Sequence, residues 1–101
     1  MNELFFIPDS SERNTSITSN DIELGQLRIG IRNKKYFPNE DCEIIIISNS
    51  KEYVCKFRLN STDKDRSYRI INKQMFHDLN IKEKDILECQ KIGERRYNLS
   101  K

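Results

Sequence analysis

Two predicted strands flank a long polar stretch, Leu59-Asn60-Ser61-Thr62-Asp63-Lys64-Asp65-Arg66-Ser67-Tyr68-Arg69. Residues 53–59 alternate in the manner of a half-buried strand, and residues 68–71 become apolar again. One face of the first strand carries Tyr53, Cys55, Phe57 and Leu59. The other face carries Val54, Lys56 and Arg58. An ordinary hairpin turns in about two to five residues, whereas this stretch is longer and contains no Gly or Pro. It is either a solvated hairpin tip or an arm that projects from a small barrel onto an anionic partner.

Positive charge is concentrated in two parts of the chain, although the formal net charge is only +2. Residues 26–37 contain four basic and no acidic residues, and residues 51–69 contain six basic and three acidic residues. Residues 1–25, by contrast, contain five acidic residues and one arginine. If folding brings the two basic segments together, they form a patch that attracts phosphate.

Length, cysteine content and hydropathy indicate one domain in a reducing compartment. The 101 residues suffice for a single modest core. The three cysteines, Cys42, Cys55 and Cys89, are widely spaced in apolar runs and form no CxxC motif, so we interpret them as core residues. The sequence shows no signal peptide and no apolar run of transmembrane length. We therefore expect a cytoplasmic protein or a cytoplasmic fragment.

The rest of the chain divides into short strands and two short helices. Apolar alternation and bounded apolar runs predict strands at about residues 3–7, 26–31, 42–48, 53–59, 68–71, 86–91 and 96–99. Helices are predicted at 32–37, before Pro38, and at 73–79, with Asn72 as the N-cap and Asn80 in a left-handed conformation. Residues 9–20 are small and polar apart from Ile17, which predicts a loop. This pattern indicates a small mixed β-barrel.

Residues that could support catalysis or bind a metal are scarce. His77 is the only histidine, which disfavours a zinc site or a Ser-His-Asp triad. Gly25 and Gly30 have the spacing of phosphate-loop glycines, but Ile31 and Arg32 follow where Lys and Ser or Thr are required. No acidic residue is followed two positions later by Lys, an arrangement used by many nucleases. We expect no metal, no cofactor and no catalytic residue, which leaves binding.

Two polar segments supply side chains suited to nucleic acid. Residues 14–20 and 60–69 are rich in Asn, Ser, Thr, Lys and Arg. Such groups donate to phosphates and read base edges, as Arg does with guanine and Asn or Gln with adenine. These residue types alone do not separate a DNA-binding domain from a protein-interaction module.

The order of several motifs resembles that of the plant B-three DNA-binding domain. The first half resembles it at Ile17-Thr18-Ser19-Asn20-Asp21-Ile22, Gly25-Gln26-Leu27-Arg28-Ile29 and Lys34-Lys35-Tyr36-Phe37-Pro38. The second half resembles it at residues 53–59 and 66–71, and at Asn80-Ile81-Lys82-Glu83-Lys84-Asp85-Ile86-Leu87. The chain departs from the family in having no Trp and in having Lys84 where the family turn usually has Gly. If the turn has the family's geometry, Lys84 must adopt a positive φ, which is energetically unfavourable for a residue other than glycine; otherwise the turn must have another geometry.

The resemblance implies a mainly β fold, a seven-stranded DNA-binding pseudobarrel or open barrel with two short helices. Similar pseudobarrels read DNA in EcoRII-type restriction enzymes and in some McrBC-like systems, such as the LlaJI-like ones. The Ile-, Lys- and Asn-rich composition is bacterial in style. We therefore expect residues 1–101 to be one non-catalytic domain that binds double-stranded DNA sequence-specifically. The same resemblance implies the target-recognition domain of a bacterial restriction system, at the N-terminus of a longer protein with motor or nuclease partners.

The resemblance places the DNA contacts on two arms that enter the major groove. The N-terminal arm covers about residues 14–28 and contributes Ser16, Thr18, Asn20, Gln26 and Arg28. The basic segment after it contributes Arg32 and Lys34. The C-terminal arm and the start of the next helix contribute Asn60, Ser61, Lys64, Arg66, Arg69 and Lys73. The alternatives are a protein-interaction barrel and an AbrB-like transcription regulator, a family with shorter chains.

Overall fold

The structure, a computed structural model, describes residues 4–8, 16–59 and 68–101, without the side chain of Ile31. The strands in these residues are β1 (Leu4–Ile7), β2 (Gln26–Ile29), β3 (Cys42–Ser48), β4 (Lys51–Leu59), β5 (Tyr68–Ile71), β6 (Leu87–Gly93) and β7 (Arg96–Ser100). The helices are α1 (Ser19–Leu24), α2 (Lys73–Asp78) and the 3-10 helix η1 (Ile31–Tyr36).

The strands form one mixed sheet that curls into a nearly closed barrel. The strand order is β1-β6-β7-β3-β4-β5-β2, and every pair is antiparallel except the parallel pair β3–β7. The edge strands β1 and β2 approach each other across an unsealed seam. Helix η1 helps to cover the seam, because Asn33 Nδ2 donates to Phe6 O at 2.7 Å and Tyr36 stacks on Phe5. The predicted seven-stranded pseudobarrel is confirmed.

The inward faces of the strands fill the barrel as the alternation predicted. Tyr53, Cys55 and Phe57 of β4 are buried, while Val54 between them is 60% exposed. Phe37, which follows η1, stacks on Phe57 with ring centroids 5.5 Å apart. Such aromatic packing contributes beyond the apolar area that it buries. The η1 segment is therefore anchored directly in the core.

Two of the three cysteines are core residues, as expected. Cys55 and Cys89 are fully buried, and Cys42 is half-buried. Burial raises the pKa of Cys55 to about 12 and that of Cys89 to about 12. Both thiols are therefore protonated and unreactive at neutral pH.

Helix α1 begins inside the predicted loop, so the loop prediction was wrong for residues 19 and 20. A capping box begins the helix, since Asp21 N donates to Thr18 Oγ1 at 3.2 Å and Thr18 N donates to Asp21 Oδ2 at 3.0 Å. Gly25 ends the helix with φ 66°. Residues 9–15 of the predicted loop lie outside the described residues.

Several other boundaries differ from the prediction by one or two residues. The strand predicted over 26–31 ends at Ile29, and the helix predicted over 32–37 is the 3-10 helix η1, which begins one residue earlier.

Helix α2 begins after Asn72, whose Oδ1 accepts from Met75 N at 2.9 Å, as predicted for an N-cap. Asn80 adopts the predicted left-handed conformation, with φ 52°.

The turn before β6 supports the start of the N-terminal arm. Lys84 adopts a positive φ of 66°, and its N–H donates to Ile17 O at 3.1 Å. Asp85 Oδ2 closes the turn by accepting from Lys82 N at 2.8 Å. The lysine thus occupies a conformation that glycine adopts at lower cost.

Replacing Lys84 with glycine should raise the free energy of unfolding by about 0.5–1 kcal/mol. Relief of the strain caused by the Cβ atom at positive φ outweighs the greater flexibility of glycine in the unfolded chain. Urea unfolding measures the change, with Glu83→Gly as the control. Glu83 is exposed and has no positive φ, so its replacement should destabilise the protein. A Lys84→Gly variant no more stable than the wild type would show that the turn holds no such strain.

Candidate nucleic-acid interface

The outward face of β4, β5 and β2 carries a row of three arginines. The strand register places Arg58 opposite Arg69, and Arg69 opposite Arg28. Ile70, next to Arg69, and Leu27, next to Arg28, are buried. Because successive side chains of a strand point to opposite faces, the arginines point away from the core. Opposed side chains on one face have Cβ atoms about 5 Å apart, at which like charges repel. This arginine row therefore favours a bound anion.

A second row of side chains extends the same surface. Lys56 lies opposite Ile71, and Ile71 lies opposite Gln26. Lys56 is exposed, whereas Gln26 is buried. We call the two rows together the basic face. Both predicted arms adjoin it, because α1 leads into β2 and residues 60–67, outside the described part, join β4 to β5.

The carboxylate of Asp21 is the centre of a hydrogen-bond network at one side of the basic face. Asp21 Oδ1 accepts from Gln26 Nε2 at 2.9 Å. Asp21 Oδ2 accepts from Arg28 Nε at 3.1 Å, from Arg28 Nη2 at 3.0 Å and from Thr18 N at 3.0 Å. Arg28 Nη2 also donates to Ser16 O at 2.9 Å. The network therefore fixes α1, and the chain just before it, on β2.

Asp21 remains ionised although it is only 3% exposed. Burial alone would raise the pKa of Asp21, but the hydrogen bonds from Thr18, Gln26 and Arg28, with the charge of Arg28, hold this pKa below its ordinary value. The carboxylate therefore neutralises one guanidinium of the arginine row at neutral pH. The other two row members have no carboxylate partner in the part of the chain that the structure describes.

Arg69, at the centre of the row, forms one side-chain hydrogen bond and leaves a buried donor without a partner among the described residues. Its Nη1 donates to Gln26 Oε1 at 3.3 Å, and its buried Nε has no partner among the described residues. A carboxylate only accepts, so Gln26 must direct its Nε2 to Asp21 and its Oε1 to Arg69. Arg58, at the other end of the row, donates to the backbone carbonyl oxygen of Phe57 at 3.1 Å.

The base of the β4–β5 hairpin is fixed by contacts with the loop before β3. Leu59 N donates to Asp41 Oδ1 at 2.8 Å, and Tyr68 Oη donates to Asn39 Oδ1 at 2.8 Å. The Nζ of Lys34 lies 4.8 Å from the centroid of the Tyr68 ring. The residues at which the C-terminal arm leaves and re-enters the sheet are thus held on the barrel.

The structure separates the predicted contact residues by exposure. The exposed ones are Ser16, Thr18, Asn20, Arg32 and Lys73, and the half-buried ones are Arg28, Lys34 and Arg69. The predicted contacts Asn60, Ser61, Lys64 and Arg66 lie outside the described residues. Gln26 is only 5% exposed and both ends of its amide are hydrogen-bonded. Gln26 is thus the most buried of the predicted contacts in the described part of the chain.

The sequence did not single out three residues of this surface, Lys56, Arg58 and Asp21. Lys56 and Arg58 were assigned to the outward face of β4, but their neighbours depend on strand pairing. Asp21 lies three residues after Thr18, which is a recognisable capping-box spacing. That spacing is the sequence signal from which the start of α1 could have been predicted.

Other functional features are limited in the residues 4–8, 16–59 and 68–101. No group of three or more His, Cys, Asp and Glu side chains there is arranged to hold a metal ion. None of the helices in these ranges combines the length and the apolar character that a membrane crossing requires. The side chain of His77 is 86% exposed.

The sheet order, the seam and the two α-helices place this chain in the B-three type of pseudobarrel fold, with the arginine row on its outer face. FUS3 of Arabidopsis, in a complex with DNA, superposes with a TM-score of 0.66 at 14% identity, over 94% of this chain and 94% of that chain. A hypothetical Arabidopsis thaliana protein superposes with a TM-score of 0.66 at 12% identity, over 98% and 88%. The N-terminal domain of Helicobacter pylori LlaJI.R1 superposes with a TM-score of 0.62 at 13% identity, over 99% and 79%.

These likenesses concern the fold, which is the one that the motif order implied. No protein-family model matches the chain, and no curated protein matches it. The three structures cover nearly the whole chain, so the resemblance extends from β1 to β7.

Proposed function

We propose that this chain is a sequence-specific double-stranded DNA-binding domain whose basic face lies against the duplex. The arginine row carries the proposal, since Arg58 and Arg69 have no carboxylate partner in the described part of the chain. Guanidinium groups bind phosphate through charge-assisted hydrogen bonds, and duplex DNA presents phosphates at regular spacing. The fold likeness to FUS3, whose structure contains DNA, supports this assignment.

In this proposal the two arms enter the major groove and the barrel fixes their separation. The exposed Ser16, Thr18 and Asn20 read bases from the N-terminal arm, with Arg28 behind them. The C-terminal arm contributes Asn60, Ser61, Lys64 and Arg66, while the phosphate contacts are Arg32, Lys34, Arg58, Arg69 and Lys73. Phosphate contacts set the register on the duplex, and contacts with base edges provide specificity.

We further propose that the domain is the non-catalytic target-recognition part of a bacterial restriction system. The motif order resembles such domains, and the fold likeness includes the N-terminal domain of LlaJI.R1. In this proposal the domain stands at the N-terminus of a longer cytoplasmic protein, and motor or nuclease domains or subunits perform the cleavage. The free cysteines are compatible with a reducing compartment.

Selection from randomised DNA tests the proposed function. The purified chain is mixed with unmethylated and methylated pools of random duplexes, and the bound fraction is sequenced. We expect one enriched motif and an affinity that falls steeply as salt rises. Absence of duplex binding at low salt would refute the proposal.

The competing function is a protein-interaction module, and one observation favours it. Leu4 and Phe6 of β1 are 57% and 50% exposed, and Ile86, just before the adjacent strand β6, is 53% exposed. Exposed apolar side chains on neighbouring strands are typical of contacts with another protein or domain. Association that is insensitive to salt, without any duplex binding, would support this function.

A further inference from the structure

We infer that Asp21 is a positioning residue that makes duplex binding selective, by restraining Arg28 and by orienting Gln26 toward Arg69. The inference rests on the proposed function, because it concerns how the basic face uses its arginines. It assigns a role to a negative residue beside the two rows of the basic face, whose charged members Lys56, Arg58, Arg69 and Arg28 are positive.

Helix capping alone does not account for the contacts of Asp21. Its capping interaction uses one donor, Thr18 N, on Oδ2. The remaining donors come from β2, namely Gln26 Nε2 on Oδ1 and Arg28 Nε and Nη2 on Oδ2. Most of the hydrogen bonds to this buried carboxylate therefore reach the basic face and not the backbone of its own helix.

The ion pair with Asp21 determines how far Arg28 can reach. Arg28 directs both its Nε and its Nη2 to Oδ2, and Nη2 also donates to Ser16 O. A guanidinium held by a fixed carboxylate is less able to follow phosphates at arbitrary positions. Its charge is also partly cancelled, which weakens the attraction to every duplex regardless of sequence. The expected consequence is lower non-specific affinity.

The second action of Asp21 passes through Gln26. The carboxylate forces the amide nitrogen of Gln26 toward itself, so the amide oxygen accepts from Arg69 Nη1. An asparagine at position 21 both donates and accepts, so it permits the opposite amide orientation, in which Gln26 presents a donor to the guanidinium. Arg69 would then lose the hydrogen bond from its Nη1 to Gln26 Oε1, and with it its fixed direction.

The experiment compares Asp21→Asn with Asp78→Asn in the full chain. Asp78 is also a carboxylate that holds a short helix to β4, through Lys51 at 2.8 Å and Tyr53 at 2.8 Å, but at the opposite end of β4 from Arg58. Both substitutions change the net charge equally. The probes are a random-sequence duplex and the duplex that the wild type selects, each titrated over a range of salt concentrations after folding is checked by thermal unfolding.

The proposal predicts a higher affinity for the random duplex and a lower preference for the selected duplex only in Asp21→Asn. Its affinity for the random duplex should rise about threefold or more, with a salt slope steeper by about 1. Its preference for the selected duplex should fall about fivefold or more, which is the scale of one misdirected base or register contact. Asp78→Asn should leave both the slope and the preference close to the wild type.

A double variant, Asp21→Asn with Arg28→Gln, separates charge from positioning. It removes both partners of a mostly buried ion pair, so it is less prone to unfold than a variant that leaves one partner unpaired. The charge of the face returns to the wild-type value, and the salt slope should return with it. The preference for the selected duplex should stay low, because Gln26 is still not oriented and Arg28 is absent.

Two results would overturn the inference. If Asp21→Asn weakens both duplexes in parallel without a change in slope, Asp21 has only a structural role, and the proposed function stands. If the double variant regains full preference, Gln26 needs no orientation by Asp21, and the inference fails while duplex binding remains. Failure of the wild type to bind either duplex would instead remove the proposed function and the inference together.

Discussion

Replacing Arg58 and Arg69 together with glutamine should weaken duplex binding by more than about 100-fold at moderate salt. In the proposed complex each guanidinium forms charge-assisted hydrogen bonds with phosphate, which contribute about 1.5–3 kcal/mol apiece. Because each phosphate contact releases counterions, loss of two contacts should also lower the salt slope by about 2. Titration of a labelled duplex at several salt concentrations measures both quantities.

The matched control is Arg95→Gln with Arg96→Gln, which changes the net charge by the same amount. These arginines belong to the turn before β7 and the start of that strand, where they pair with Glu40 and Glu52. Strands β3 and β4 separate β7 from the centre of the arginine row on β5. The control should therefore change affinity by less than about threefold, since it removes no phosphate contact. An equal loss in both variants would mean that binding follows net charge and not the arginine row.

The barrel could be predicted from the sequence because its strands bury one face each. In β4, Tyr53, Cys55 and Phe57 alternate with exposed side chains, and burial of an apolar face makes that alternation a reliable signal. Four successive isoleucines, as in β3, are compatible both with a strand covered on both faces and with a barrel wall. Ile44 and Ile46 are buried and Ile45 is half-buried, which is the pattern of a wall.

Helix α1 could not be predicted from periodicity because it spans only six residues. Two turns contain too few apolar side chains to establish a period, and Ile22 and Leu24 do not share the helical spacing. The helix is stabilised instead by the capping box of Thr18 and Asp21 and by docking on β2. The spacing of the capping box can be recognised in the sequence, whereas the contact between α1 and β2 cannot.

The arginine row was beyond sequence analysis for a different reason. Arg28 and Arg69 are far apart in the chain, and they meet because β2 pairs with β5, a strand that is not its neighbour in sequence. Such a register depends on how the whole sheet closes. The prediction that two basic segments form one patch was therefore conditional on folding, and the strand pairing satisfies that condition on β4, β5 and β2.

Replacing Gly25 with alanine should lower the free energy of unfolding by about 2–5 kcal/mol. Gly25 has φ 66°, and a Cβ atom there would lie 2.6 Å from Lys73 Cγ, 2.7 Å from Lys73 Cα and 2.9 Å from Lys73 N. The left-handed backbone costs about 1–2 kcal/mol for a residue other than glycine, and overpacking adds about 1–3 kcal/mol. Chemical denaturation measures the loss. Gly93→Ala is the control, because its Cβ would meet only side-chain atoms of Arg96 at 3.7 Å or more.

The same substitution tests whether the junction of α1 and α2 holds the N-terminal arm in place. Gly25 O accepts from Asn72 N at 2.8 Å, so relief of the clash must separate the end of α1 from the start of α2. That movement displaces Asp21 from Arg28, and selectivity between duplexes should fall together with stability. Adding Lys73→Ala removes Cγ but leaves the backbone atoms of residue 73, so it should restore little stability. Full recovery in this double variant would show that the lysine side chain, and not the backbone contact, requires glycine at position 25.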